Sequence, residues 1–135
     1  MTSLDDRAQI HDLYSRYCFL LDANDLDGVA GCFEPDGELV IVGLRSFHGR
    51  EEIISSLAAS ADKRSNHYVV NLWFRTLLHD RAECAASFIL WRPAGSLAAR
   101  GTYDDTLAKG GDGQWRWQKK QISFIWKDPE YEFGR

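Results

Sequence analysis

The sequence predicts an α+β domain in which a curved, mostly antiparallel sheet wraps a long N-terminal helix. Three observations carry this expectation. Helical periodicity falls early in the chain and strand patterns fall late, which argues against alternating βαβ units. Four long stretches rich in β-branched and aromatic residues follow one another with only turn signals between them, as in an antiparallel meander. The first helix carries an apolar stripe and needs a concave surface to bury it.

The elements follow in order. Ile10, Leu13, Tyr14, Tyr17, Cys18 and Leu21 recur at helical spacing, predicting a helix over about residues 4–22. Ser3 with Asp6 resembles a capping box with Asp in place of Glu. Asp22 stands four residues after Cys18 and so continues the apolar stripe, which aims a carboxylate at the core or a pocket. Asn24 or Asp25 caps a short second helix ending near Phe33. The acidic cluster here fails the calcium-loop pattern, because Leu26 and Phe33 fall where ligands are needed. Pro35-Asp36-Gly37 reads as a turn, residues 38–42 as a strand, 43–49 as a loop and 50–61 as a helix. The remaining strands are 68–77, 82–91, 97–108 and 115–126, with a polar tail from about 127.

Composition bounds the function. The 135 residues make one domain, 1–135, large enough to fold without disulfides or metal. A net charge of −4 excludes the basic face that nucleic acid requires. No apolar run suits a signal peptide or a membrane span. Cys18, Cys32 and Cys84 are odd in number and far apart, so we expect reduced thiols and a cytoplasmic protein. Aromatic residues reach 13%, enough to line an apolar pocket or fill a core.

Among the four histidines, His67 stands apart. His11 lies outside the apolar stripe and reads as solvated, His48 as structural and His79 as an exposed turn residue. His67 opens a strand whose two-residue alternation places His67, Val69, Asn71 and Trp73 on one face and Tyr68, Val70, Leu72 and Phe74 on the other. Both faces are largely apolar, so the strand is expected to be covered on both sides. An Asp22–His67 pair in an apolar pocket would make a proton acceptor, the carboxylate fixing the imidazole tautomer. Neither a nucleophile elbow, a phosphate-binding glycine loop nor a metal-ligand spacing is present, and no cofactor is expected.

Several local words point further: Ala8-x-Ile10-x-Asp12-Leu13-Tyr14, Leu21-Asp22, Phe33-x-x-Asp36-Gly37, Phe47-His48-Gly49-Arg50-Glu51-Glu52-Ile53, His67-Tyr68-x-x-Asn71, Gly101-Thr102-Tyr103 and Asp112-Gly113-x-Trp115-x-Trp117. In this order the chain resembles the SnoaL-like group of the nuclear transport factor 2-like superfamily, from about residue 7 to 126. The resemblance implies a cone-shaped, cystatin-like roll. Within the group the chain is similar to the scytalone dehydratases, bile-acid dehydratases and hexachlorocyclohexane dehydrochlorinases. That similarity implies Asp22 and His67 as a catalytic dyad removing a proton while water or halide departs. It also implies Tyr17 as a polar pocket residue and Lys119 or Lys120, plausibly Lys120, as a cation near the leaving anion. The stretch 87–92 lacks the second histidine of the scytalone enzymes, though Arg92 lies near.

The expected function is thus a cofactor-free lyase or isomerase acting on a small, apolar, ring-like molecule. Tyr14, Phe33 and Trp73 are expected to line the pocket, with Asn71 and Arg92 binding substrate. The alternatives are a non-catalytic binding or assembly module, for which a His-x-x-x-Asn word is also known, and a polyketide cyclase or ketosteroid-isomerase-like activity. The apolar outer face of an open sheet, ending in Leu90-Trp91 and Phe124-Ile125-Trp126, predicts a homodimer.

Overall fold

The computed structural model describes residues 3–59 and 65–131, Ser3 by its backbone alone. Helices α1 (Ser3–Asp22) and α2 (Leu26–Gly31) precede β1 (Phe33–Ile41), β2 (Arg45–His48) and α3 (Gly49–Ala58). Four strands follow: β3 (Asn66–Leu77), β4 (Arg81–Trp91), β5 (Leu97–Lys109) and β6 (Trp115–Lys127). They form one six-stranded sheet in the order β2-β1-β6-β5-β4-β3. All neighbours are antiparallel except β1 and β6. The predicted meander of four late strands is present, and α1 packs against β3 and β6.

Two local expectations are overturned. Pro35-Asp36-Gly37 is no turn between elements; it lies inside β1, where the register against β6 shifts between Phe33 and Glu38. The expected loop over 43–49 contains β2, which pairs with β1 from Glu38↔His48 to Ile41↔Arg45. Asp25, not Asn24, caps α2 by accepting from the Gly28 N–H, and α2 ends at Gly31. Helix α3 ends at Ala58, and the expected residues 60 and 61 lie outside the described residues.

Curvature comes from irregularities along the strands. The register slips within β3 near Asn71, between β4 and β5 at Leu90/Trp91, and between β5 and β6 at Arg100/Gly101 and Thr106/Leu107. Each extra residue bends and twists the sheet. At Gly101 a Cβ would sit 2.0 Å from the Ser123 carbonyl, so only glycine admits this approach.

Register shows what each face holds. One row across the concave side reads Phe74, Cys84, Asp105, Lys120, Leu39 and Phe47. A row on the convex side reads Tyr68, Ile89, Arg100 and Trp126. Helix α1 lays Ile10, Leu13, Tyr14, Tyr17 and Cys18 into the concave side, and all are buried. Asp6 is not seen as a cap: its carboxylate accepts from Trp115 Nε1 at 3.0 Å and Lys109 Nζ at 3.1 Å, tying the start of α1 to the β5–β6 hairpin. The expectation that both faces of β3 are covered fails in this chain: Tyr68, Val70 and Trp73 are exposed.

Candidate active site

The last residue of α1 meets the first residues of β3. Asp22 ends the helix, and its carboxylate accepts from the His67 backbone N–H at 3.0 and 3.2 Å and from Asn66 Nδ2 at 3.2 Å. His67 Nδ1 lies 2.8 Å from Asp22 Oδ1. Burial pushes the Asp22 carboxyl up, but the His67 ring, the His67 backbone and Asn66 together hold it below its ordinary value. An ionised carboxylate only accepts, so Nδ1 carries the proton and Nε2 is left as the acceptor. Among the described residues nothing bonds Nε2.

This pair sits at one end of a cleft of about 510 Å³ between α1 and β3. Tyr14, Cys18, Val69 and Leu72 line it beside His67 and Asp22, and His11, Ser15 and Phe19 run along its helical wall. His11, read from the sequence as simply solvated, therefore faces the cleft. Its helical offset from Ser15, Phe19 and Asp22 was the available signal: these four make a second stripe beside the apolar one.

The remaining predicted residues divide. Tyr14 lines the cleft, yet its hydroxyl donates inward to Asp105. Tyr17 and Phe33 are buried against Trp117 and do not line the cleft. Asn71 and Trp73 leave the His67 face. Asn71 adopts φ 58, and the bulge there advances the alternation by one residue, so Leu72 and Phe74 turn inward and Trp73 is 62% exposed. Arg92 pairs with Asp128 at 3.3 Å and also does not line the cleft.

Lys120, not Lys119, points inward. Lys119 lies 3.8 Å from Glu38 and is half-exposed, whereas Lys120 is fully buried and 2.9 Å from Asp105. Its ammonium stands 3.4 Å from the centroid of Tyr103 and 4.2 Å from that of Trp117, with Tyr14 and Tyr17 at 4.9 and 5.0 Å. Its charge is spent on Asp105 and four rings, away from the cleft. Asp105, unforeseen as a site residue, accepts from Tyr14, Lys120 and Trp117 through Oδ2. Burial pushes Asp105 up and Lys120 down, and their mutual attraction opposes both shifts. No group of three or more metal-ligating side chains occurs among the described residues.

Comparison with known proteins matches this architecture. The family model described as SnoaL-like domain matches residues 2–121. No curated protein matches the chain. Among solved structures, a protein of unknown function with a cystatin-like fold from Nostoc punctiforme superposes with a TM-score of 0.83, at 23% identity, over 97% of this chain and 96% of its own. A scytalone dehydratase-like protein from Novosphingobium aromaticivorans gives 0.80 at 18% identity over 96% and 91% of the two chains. A type 2 hexachlorocyclohexane dehydrochlorinase gives 0.79 at 21% identity over 94% and 90%. At these identities the likeness is one of fold.

Proposed function

The chain belongs to the SnoaL-like domain family, and we propose that within it the protein is a cofactor-free lyase that removes a carbon-bound proton from a small apolar molecule. The 2.8 Å contact between His67 Nδ1 and Asp22 Oδ1 at the end of the cleft carries this reading. It leaves Nε2 as the base, with the carboxylate placed to stabilise the imidazolium as it forms. The electron pair of the broken C–H bond becomes the new C=C bond, and the leaving group on the neighbouring carbon departs with its own pair. A hydroxyl departs as water once the His67 imidazolium passes the abstracted proton to the leaving oxygen, whereas a halide departs as the anion and leaves that proton on the ring. The similar dehydratase-like and dehydrochlorinase structures supply these two candidate leaving groups.

One observation favours a second reading. Among the described residues no lysine or arginine lines the cleft, so its described lining offers no cation to a departing anion. Isomerisation, in which the imidazolium returns its proton to a different carbon, needs no such group.

Both readings share proton abstraction, and deuterium exchange tests it directly. The protein is incubated in heavy water with a panel of cyclic compounds bearing an acidic C–H, and exchange and elimination are followed by NMR. We expect His67→Ala to lose turnover and Asp22→Asn to lower it by about 10²–10⁴-fold, the range of general-base catalysis. Unchanged rates in His67→Ala would remove the base from the mechanism.

A further inference from the structure

The cleft has two ends, and the second carries its own chemistry. His11 lines the end remote from the Asp22–His67 pair. Its ring meets Phe74 edge-on at 5.6 Å between centroids, and Arg7, one helical turn earlier, holds its guanidinium 4.7 Å from the centroid of the same ring. Phe74 reaches this position because the bulge at Asn71 turns it inward. No carboxylate among the described residues pairs with Arg7, although this chain is acidic and several of its other basic side chains are paired. His11 and Asp22 stand eleven positions apart on α1, a span of about 16 Å. Between the two ends the floor is apolar, formed by Cys18, Val69 and Leu72.

We propose that Arg7 and His11 bind the anionic end of an elongated amphipathic acid whose apolar body lies along the cleft and whose far end reaches His67. A guanidinium matches a carboxylate in fork geometry, and a ring nitrogen of His11 adds a second donor. An apolar floor alone would not distinguish an acid from its ester. Arg7, which stands one turn beyond His11 and outside the cleft's lining, does, and it sets both orientation and substrate class. This inference rests on the cleft being the substrate site, and it adds an acid group to the apolar body proposed for that substrate.

The test uses the full chain with 1-pyrenebutanoate and its methyl ester as probes, titrated by fluorescence. The acid should bind about tenfold more tightly than the ester, a difference of about 1.4 kcal/mol. The double variant Arg7→Gln/His11→Gln should abolish that preference, while Asp22→Asn should keep it. Both substituted side chains are exposed, so the fold should survive, and far-ultraviolet circular dichroism checks this. Equal affinity for the two probes, no binding of either, or a preference that persists in the double variant overturns the proposal. If the acid preference is present and lost in the double variant while His67→Ala keeps full turnover, the acid site stands and the proposed reaction falls.

Discussion

Replacing Lys120 with Met tests the buried centre of the fold. Both side chains of the Lys120–Asp105 pair are fully inaccessible, and 2.9 Å separates Nζ from Oδ2. Methionine keeps most of the volume and the contacts with Tyr14, Tyr17, Tyr103 and Trp117, so the change is chiefly one of charge. Asp105 would then keep Tyr14 and Trp117 as donors but lose its counter-ion, with Oδ1 already lacking any hydrogen-bond partner. Breaking one side of a buried pair costs about 3–5 kcal/mol. Domains have about 5–15 kcal/mol in total. At about 4 °C per kcal/mol, the melting temperature should fall by about 12–20 °C. Adding Asp105→Asn to Lys120→Met removes the orphaned charge and should recover most of the loss. Acid gives an independent check. A buried carboxyl has a folded pKa above its unfolded one, so its contribution is full at low pH and is lost as pH rises through the folded value. In Lys120→Met the deficit should therefore shrink on acidification. Urea unfolding followed by tryptophan fluorescence measures the wild type and both variants. A single variant within about 0.5 kcal/mol of the wild type, the usual range of surface changes, would refute the argument.

Two further outcomes follow. Asp22 has the opposite sign: its folded pKa is held down, so its stabilisation is present above the ordinary carboxyl value and is lost as pH falls through the folded one. Wild type and Asp22→Asn should thus differ in stability at neutral pH and converge in acid, as pH-dependent urea melts will show; a constant difference would contradict this. We also propose that the exposed convex row beginning at Tyr68 and ending at Trp126, with Val70 and Trp73 beside it, is covered by a second copy. Light scattering after size exclusion should find a dimer, and Trp73→Lys should shift it to monomer; a monomeric wild type refutes the dimer.

The sequence made long periodic elements legible and left the irregular ones obscure. The stripe on α1 and the four late strands span enough residues for their period to show. The Asp22–His67 contact was legible for the same reason: both residues lie at the ends of well-patterned elements. Asn71 and Trp73 were misplaced because strict alternation assumes a flat strand, whereas one residue in left-handed conformation reverses the phase beyond it. Lys119 and Lys120 were ambiguous in principle, since adjacent residues take opposite faces and only register decides. Asp105 escaped notice because its neighbour Asp104, which pairs with Arg75 at 2.7 Å, is an ordinary surface carboxylate of the same type. His11 was missed because one helix face can be both wet and functional.

The Lys120–Asp105 pair also bears on how the sheet finds its alignment. These two residues are direct partners between β5 and β6, and Lys120 is at the same time the partner of Leu39 on β1. A slip of β6 by one residue would turn Lys120 to the convex side and set Lys119 or Gln121 against Asp105, according to its direction; the slip that brings in Gln121 leaves Asp105 with no counter-ion. An apolar residue at 120 would tolerate that slip far better, because the neighbouring stretch from Phe124 to Trp126 is apolar on both faces. The charge pair thus penalises the slip toward Gln121, while Lys119 offers Asp105 a second cation in the opposite one.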